Sequence, residues 1–66
     1  MELSDINNKT RKKVIEYLHK KEITLNKFAG LVDIFQPNLH VFINGKSLSS
    51  KNIEKIWKFF EQKGVK

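Results

Sequence analysis

The stretch Gln36 to Gly45 contains no Lys, Arg, Asp or Glu, yet it spaces polar groups along its length: Gln36, Asn38, His40 and Asn44. Carboxamides present a donor and an acceptor side by side, so they recognise a partner offering the reverse pair. Cations stand just outside this stretch, at Lys27, Lys46 and Lys51. An ammonium is a point charge suited to a phosphate or a carboxylate. Hydrogen-bonding amides inside a frame of cations are equipment for binding. The arrangements that catalysis needs are missing. The two histidines, His19 and His40, form no His-x-x-x-His pair, and no carboxylates are paired on a shared face. There is no Gly-rich phosphate loop. The chain has no cysteine, which removes disulfides and thiolate metal sites. The expectation is a protein that is not an enzyme and holds no cofactor or metal.

Two short helices joined at a sharp corner must position these residues. Leu25 to Val32 has apolar residues at 25, 28, 29 and 32, the spacing of one buried helical face. Gln36 to Ile43 turns Leu39 and Phe42 inward and leaves Gln36, Pro37, Asn38, His40, Val41 and Asn44 outside. Asp33-Ile34-Phe35 is too short a link for anything but a tight turn. Asp33 tolerates a left-handed backbone there. Asn44-Gly45 ends the second of these helices, with Gly in the left-handed conformation. Phe35 stands where a capping side chain is wanted and cannot accept a hydrogen bond, so it is expected exposed, serving contact rather than stability.

Elements on either side complete the bundle. After a loose start over residues 1 to 5, a first helix is expected from about Ile6 to Lys21, capped by Ser4 or Asp5. Its buried stripe is Ile6, Thr10, Val14, Tyr17 and Leu18. The run Arg11-Lys12-Lys13 reads either as a phosphate contact or as a solvated helix face, and His19 as exposed. Thr24 is a cap for the second helix, and Gly30 in that helix allows close packing against the first. Lys46 to Ser50 is a polar loop with Leu48 plugging inward. Ser49 or Ser50 caps a last helix, Lys51 to about Gln62, with a stripe of Ile53, Ile56, Trp57 and Phe60. Phe59 points away from that stripe and is expected at the surface. A β-hairpin around Asn44-Gly45 competes for residues 39–48. Its second arm has one apolar residue, Leu48, and no β-branched one, which favours the helix.

Several of these residues carry a family pattern: Phe28-Ala29, Ile34, Gln36, Leu39, Phe42, Asn44-Gly45-Lys46, then Ser47-Leu48-Ser49 and Ile53-Glu54-Lys55-Ile56. Together they resemble the helix-turn-helix of lambda repressor-like (Xre/Cro-type) DNA-binding domains. The resemblance implies an all-α, compact bundle of four short helices forming a single domain over residues 1–66, with the helix-turn-helix at 25–44. It implies double-stranded DNA as partner, with the second helix of the motif in the major groove. Base contacts would come from Gln36, Pro37, Asn38, His40 and Val41. Phosphate contacts would come from Asn26, Lys27, Asn44, Lys46, Ser47 and Lys51. Gln36 is suited to adenine N6 and N7, and Val41 to a thymine methyl. The plainer readings are a Gln and a His facing water, a partly buried Val41, and Asn44 as a helix cap. Three positions depart from the family: Asp33 replaces the usual Gly, Phe35 a small hydroxyl, and Leu25 the frequent Gln or Thr.

Composition agrees with a polyanionic partner. Thirteen Lys and Arg against seven Asp and Glu leave +6 over 66 residues. Solubility alone is the other reason for such a charge. No apolar run approaches the roughly 20 residues of a membrane span. No signal peptide is visible in Met1-Glu2-Leu3-Ser4-Asp5, so a cytoplasmic location is expected. Family members commonly add a fifth helix that forms a dimer. No segment here reads as one, so a monomer or a weak, DNA-induced homodimer is expected. The expected role is a small phage, plasmid or bacterial transcriptional regulator. The alternatives are a protein-interaction module with a partner surface around Phe35, Val41 and Phe59, or an antitoxin or recombination accessory factor.

Overall fold

Amphipathic stripes at helical spacing, interrupted at three short links, produce four helices in the computed structural model, which describes residues 3–64. They are α1 (Leu3–Lys21), α2 (Leu25–Val32), α3 (Gln36–Ile43) and α4 (Ser50–Gln62). No strand occurs among the described residues, and Leu39 to Ile43 lie inside α3 rather than in a hairpin. α1 starts earlier than expected. Ser4 and Asp5 are therefore within the helix and cannot be its cap. Asp5 instead lies in the first turn, where a carboxylate complements the helix dipole. Of the loose start expected over residues 1 to 5, residues 1 and 2 lie outside the described residues.

The core forms where the four stripes meet. Val14, Phe28, Leu39, Phe42 and Ile56 are fully buried, and Phe60 nearly so. Tyr17 is half-buried and packs against Phe28, Phe59 and Phe60, with ring centroids 5.8, 5.6 and 5.4 Å away. Phe59 corrects the sequence-based expectation, because only 7% of it is exposed. It meets Phe28 edge-on at 5.5 Å. The reason is that α4 packs against both α1 and α2. A helix wedged between two neighbours buries a wider arc than a single stripe, and Phe59 lies on the added part.

Polar groups inside the bundle are matched. The indole N–H of Trp57 donates to Thr10 Oγ1 at 2.9 Å, and that hydroxyl donates to the Ile6 carbonyl at 2.7 Å. Trp57 is thus half core and half surface, joining α4 to α1. Gly30 also departs from expectation. It is exposed, and a Cβ added there meets nothing within 4 Å, so it permits no close helix approach. Among the described residues, no helix is long and apolar enough to cross a membrane.

Candidate functional site

The corner between α2 and α3 is built as the residue types demand. Thr24 caps α2, its hydroxyl accepting from the Lys27 N–H at 3.2 Å. Asn26 and Lys27 are exposed in the first turn that this cap fixes. α2 ends at Asp33, whose φ of 57° is left-handed, and Ile34 then drops into the core at 5% exposure. Phe35 occupies the N-cap of α3 without a side-chain capping bond and is 71% exposed. Pro37 follows in the first turn of α3, where a missing N–H costs nothing. The Phe35 carbonyl accepts from Asn38 N at 3.0 Å and Leu39 N at 3.2 Å, which starts the helix despite the absent cap.

α3 then sorts its side chains. Leu39 and Phe42 are fully buried. Pro37, Asn38, His40 and Val41 face solvent, while Gln36 is half-buried at the edge. Val41 retains 45% exposure, so it is partly buried and still presents apolar surface to solvent. The residues expected to touch phosphate are spread over three elements: Asn26 and Lys27 on α2, Asn44, Lys46 and Ser47 at the exit of α3, and Lys51 in the first turn of α4. All are exposed. Ser49 caps α4, accepting from Asn52 N at 3.3 Å. Asn44 is the C-cap residue of α3 through its backbone N–H, which bonds the His40 carbonyl at 3.2 Å. Its side chain stays outside.

Among the described residues, the lysines of this surface, Lys27, Lys46 and Lys51, take part in no ion pair. One ion pair forms among those residues, Lys58 with Glu54 at 3.2 Å; Glu54 stands one turn after Lys51 on α4 but pairs with Lys58. The run Arg11-Lys12-Lys13 behaves differently at each position. Lys12 is exposed. The Lys13 ammonium lies 5.7 Å from the Trp57 ring centroid. Arg11 points inward: its Nε donates to the Phe42 carbonyl at 2.6 Å and its Nη2 to the Lys46 carbonyl at 2.8 Å. The phosphate reading of Arg11 is thereby replaced by a structural one.

Two residues of α1 that shape the site escaped the sequence reading. Arg11 is one, and nothing in its local sequence distinguishes it from its lysine neighbours. Asn7 is the other. It is 1% exposed, and its Oδ1 accepts from the Leu48 N–H at 2.7 Å. Asn7 lies three residues before Thr10 and seven before Val14, on the buried stripe, so its position could have been read from the helical spacing.

Among the described residues, no group of three or more His, Cys, Asp or Glu could hold a metal. A hollow of about 410 Å³ lies between α1 and the end of α4, lined by Lys13, Tyr17, Lys20 and Lys63 among others. It shares no residue with the expected interface. No protein-family model, no curated protein and no solved structure matches this chain.

Proposed function

We propose that this protein binds double-stranded DNA in a sequence-specific manner, with a lambda repressor-like helix-turn-helix formed by α2 and α3. The observation that carries this reading is the solvent face of α3. It holds no Lys, Arg, Asp or Glu, it carries Pro37, Asn38, His40 and Val41 with Gln36 at its edge, and lysines that form no ion pair among the described residues flank it on three separate elements. A helix of that kind fits the major groove, where base edges offer a full donor and acceptor code. Lysines at its margins would neutralise phosphates and set register, while Gln36 and its neighbours set sequence. The protein would act by occupying an operator as a small transcriptional regulator, and no catalysis is involved.

The experiment separates reading from grip. Duplexes are selected from DNA flanking the protein's own gene, and binding is measured across a salt series. Gln36→Ala removes one bidentate base contact, worth roughly 1–3 kcal/mol of discrimination. It is expected to weaken the selected site and leave random DNA nearly untouched. Lys46→Ala is expected to weaken both equally and to reduce the salt slope by about one counterion. Equal losses for Gln36→Ala on both duplexes would mean that another element reads the bases.

A second reading draws on Phe35 and Val41, two of the exposed large apolar residues. They offer a protein partner a contact surface, now without Phe59, which is in the core. If neither substitution changes DNA binding and both variants stay folded, this reading replaces the first.

A further inference from the structure

α1 holds the loop that leaves α3 at both ends. The Lys46 carbonyl accepts from Arg11 Nη2 at 2.8 Å, and the Leu48 N–H donates to Asn7 Oδ1 at 2.7 Å. Asn7 and Arg11 are four residues apart, so they project from the same face of α1 on successive turns. Between their two anchor points lies Ser47, with the Lys46 side chain beside it.

Arg11 does more than hold the loop. Its Nε donates to the Phe42 carbonyl at 2.6 Å, on the last turn of α3, and that carbonyl also accepts from the Gly45 N–H at 3.1 Å. Its Nη1 donates to Asn8 Oδ1 at 2.7 Å, which orients the guanidinium on its own helix. Its Cζ sits 4.9 Å from the centroid of the fully buried Phe42 ring. One planar group therefore spans the helix end and the loop, and rests on the core. An ammonium cannot reproduce this, because it has no planar fork to bridge two carbonyls while stacking on a ring.

We infer that Arg11, seconded by Asn7, is a positioning residue for phosphate contact by Lys46 and Ser47. The inference rests on the DNA-binding reading. It gives α1 a part in binding without a phosphate contact from Arg11 itself. The backbone bonds of the turn, from Gly45 N to the Phe42 carbonyl and from Lys46 N to the Val41 carbonyl, stop at Lys46, so beyond it the Arg11 and Asn7 bonds hold the loop.

The test is a double-mutant cycle with Arg11→Lys and Lys46→Ala, measured on selected and random duplexes across a salt series. Arg11→Lys keeps the charge, and circular dichroism checks the fold. Arg11→Gln serves as a second variant should the first fail to fold. Arg11→Lys is expected to weaken both duplexes about as much as Lys46→Ala does. It should also reduce the salt slope by about one counterion although no charge is lost. The double variant is expected to bind no more weakly than Lys46→Ala alone. Without DNA, amide exchange at Ser47 and Leu48 is expected to quicken in Arg11→Lys.

Multiplying losses in the double variant would show that Arg11 and Lys46 act independently and would overturn the inference. So would an Arg11→Lys protein that binds DNA like the wild type while its loop amides exchange faster. In either case the DNA reading survives. A wild-type protein that binds no duplex overturns that reading and this inference together.

Discussion

The exits of α2 and α3 solve the same problem with parts of unequal strength. Each exit carries a residue of positive φ, the cap Asp33 with φ of 57° after α2 and Gly45, one residue beyond the cap of α3, with φ of 113°. Each then sends an apolar plug inward, Ile34 at 5% and Leu48 at 4% exposure. Each has a carbonyl bonded by a cation from a distant helix. At α2 this is Lys55 Nζ on the Asp33 carbonyl at 3.0 Å, a single exposed contact. At α3 it is Arg11, with three hydrogen bonds and a ring beneath it. The difference follows from what comes next. α2 leads almost directly into α3, and the Phe35 carbonyl already belongs to the new helix. α3 leads into residues 44–49, where backbone bonds close the turn as far as Lys46 N and the carbonyl of Lys46 and the amide of Leu48 bond to side chains instead. Both side chains come from α1. A longer exit needs more outside support, and that support ties it to the rest of the fold.

The plugs should show the largest effects. Leu48→Ala and Ile34→Ala each remove a buried aliphatic side chain, and each is expected to lower unfolding free energy by about 2–4 kcal/mol in urea titrations. Similar costs would confirm that the two exits are equivalent at the level of burial. A Leu48→Ala cost below about 1 kcal/mol would mean that the Arg11 and Asn7 bonds hold the loop without its plug.

The left-handed residues come next, and their signs should differ. Gly45→Ala places a Cβ on a backbone that disfavours it, and a loss of about 1 kcal/mol is expected. Asp33→Gly relieves the same strain at the other exit and removes a carboxylate from a helix C-terminus. It is expected to raise stability by about 0.5 kcal/mol. Thermal melts read both changes. A fall in stability for Asp33→Gly would show that the aspartate side chain holds this turn.

Lys55→Met should show the smallest effect. Its bond is exposed, and a change within about 0.5 kcal/mol is expected by denaturant titration. A loss comparable to that of a core substitution would make the two cations equals and remove the distinction between the exits.

Much of this contrast was legible in residue types. Thr24, Asp33, Ile34, Gln36, Asn44-Gly45, Leu48 and Ser49 each announce a local role, and those roles depend on neighbours a few residues away. The spans of α2 and α3 follow from them. Phe35 was also legible: an aromatic at an uncapped helix start is out of place unless it faces solvent, and it does. Phe59 and Gly30 were not legible, because their surroundings depend on which helices flank them. A helical stripe shows one buried face and cannot show that α4 has two neighbours.

Local sequence determined where α2, α3 and α4 begin and end, though not where α1 begins, and which side of α3 stays polar, since caps, turns and helical spacing act over a few residues. It also supplied the lysines around that surface. Only the tertiary structure decided that Arg11 reaches across to the end of α3, that Asn7 grips the loop, and that Phe59 joins the core. Those outcomes depend on groups 31 and 41 residues apart in the chain, as Arg11 is from Phe42 and Asn7 from Leu48. No short-range pattern encodes such meetings. They arise when packing brings a loop amide, or a carbonyl with a lone pair to spare, beside a side chain able to bond it.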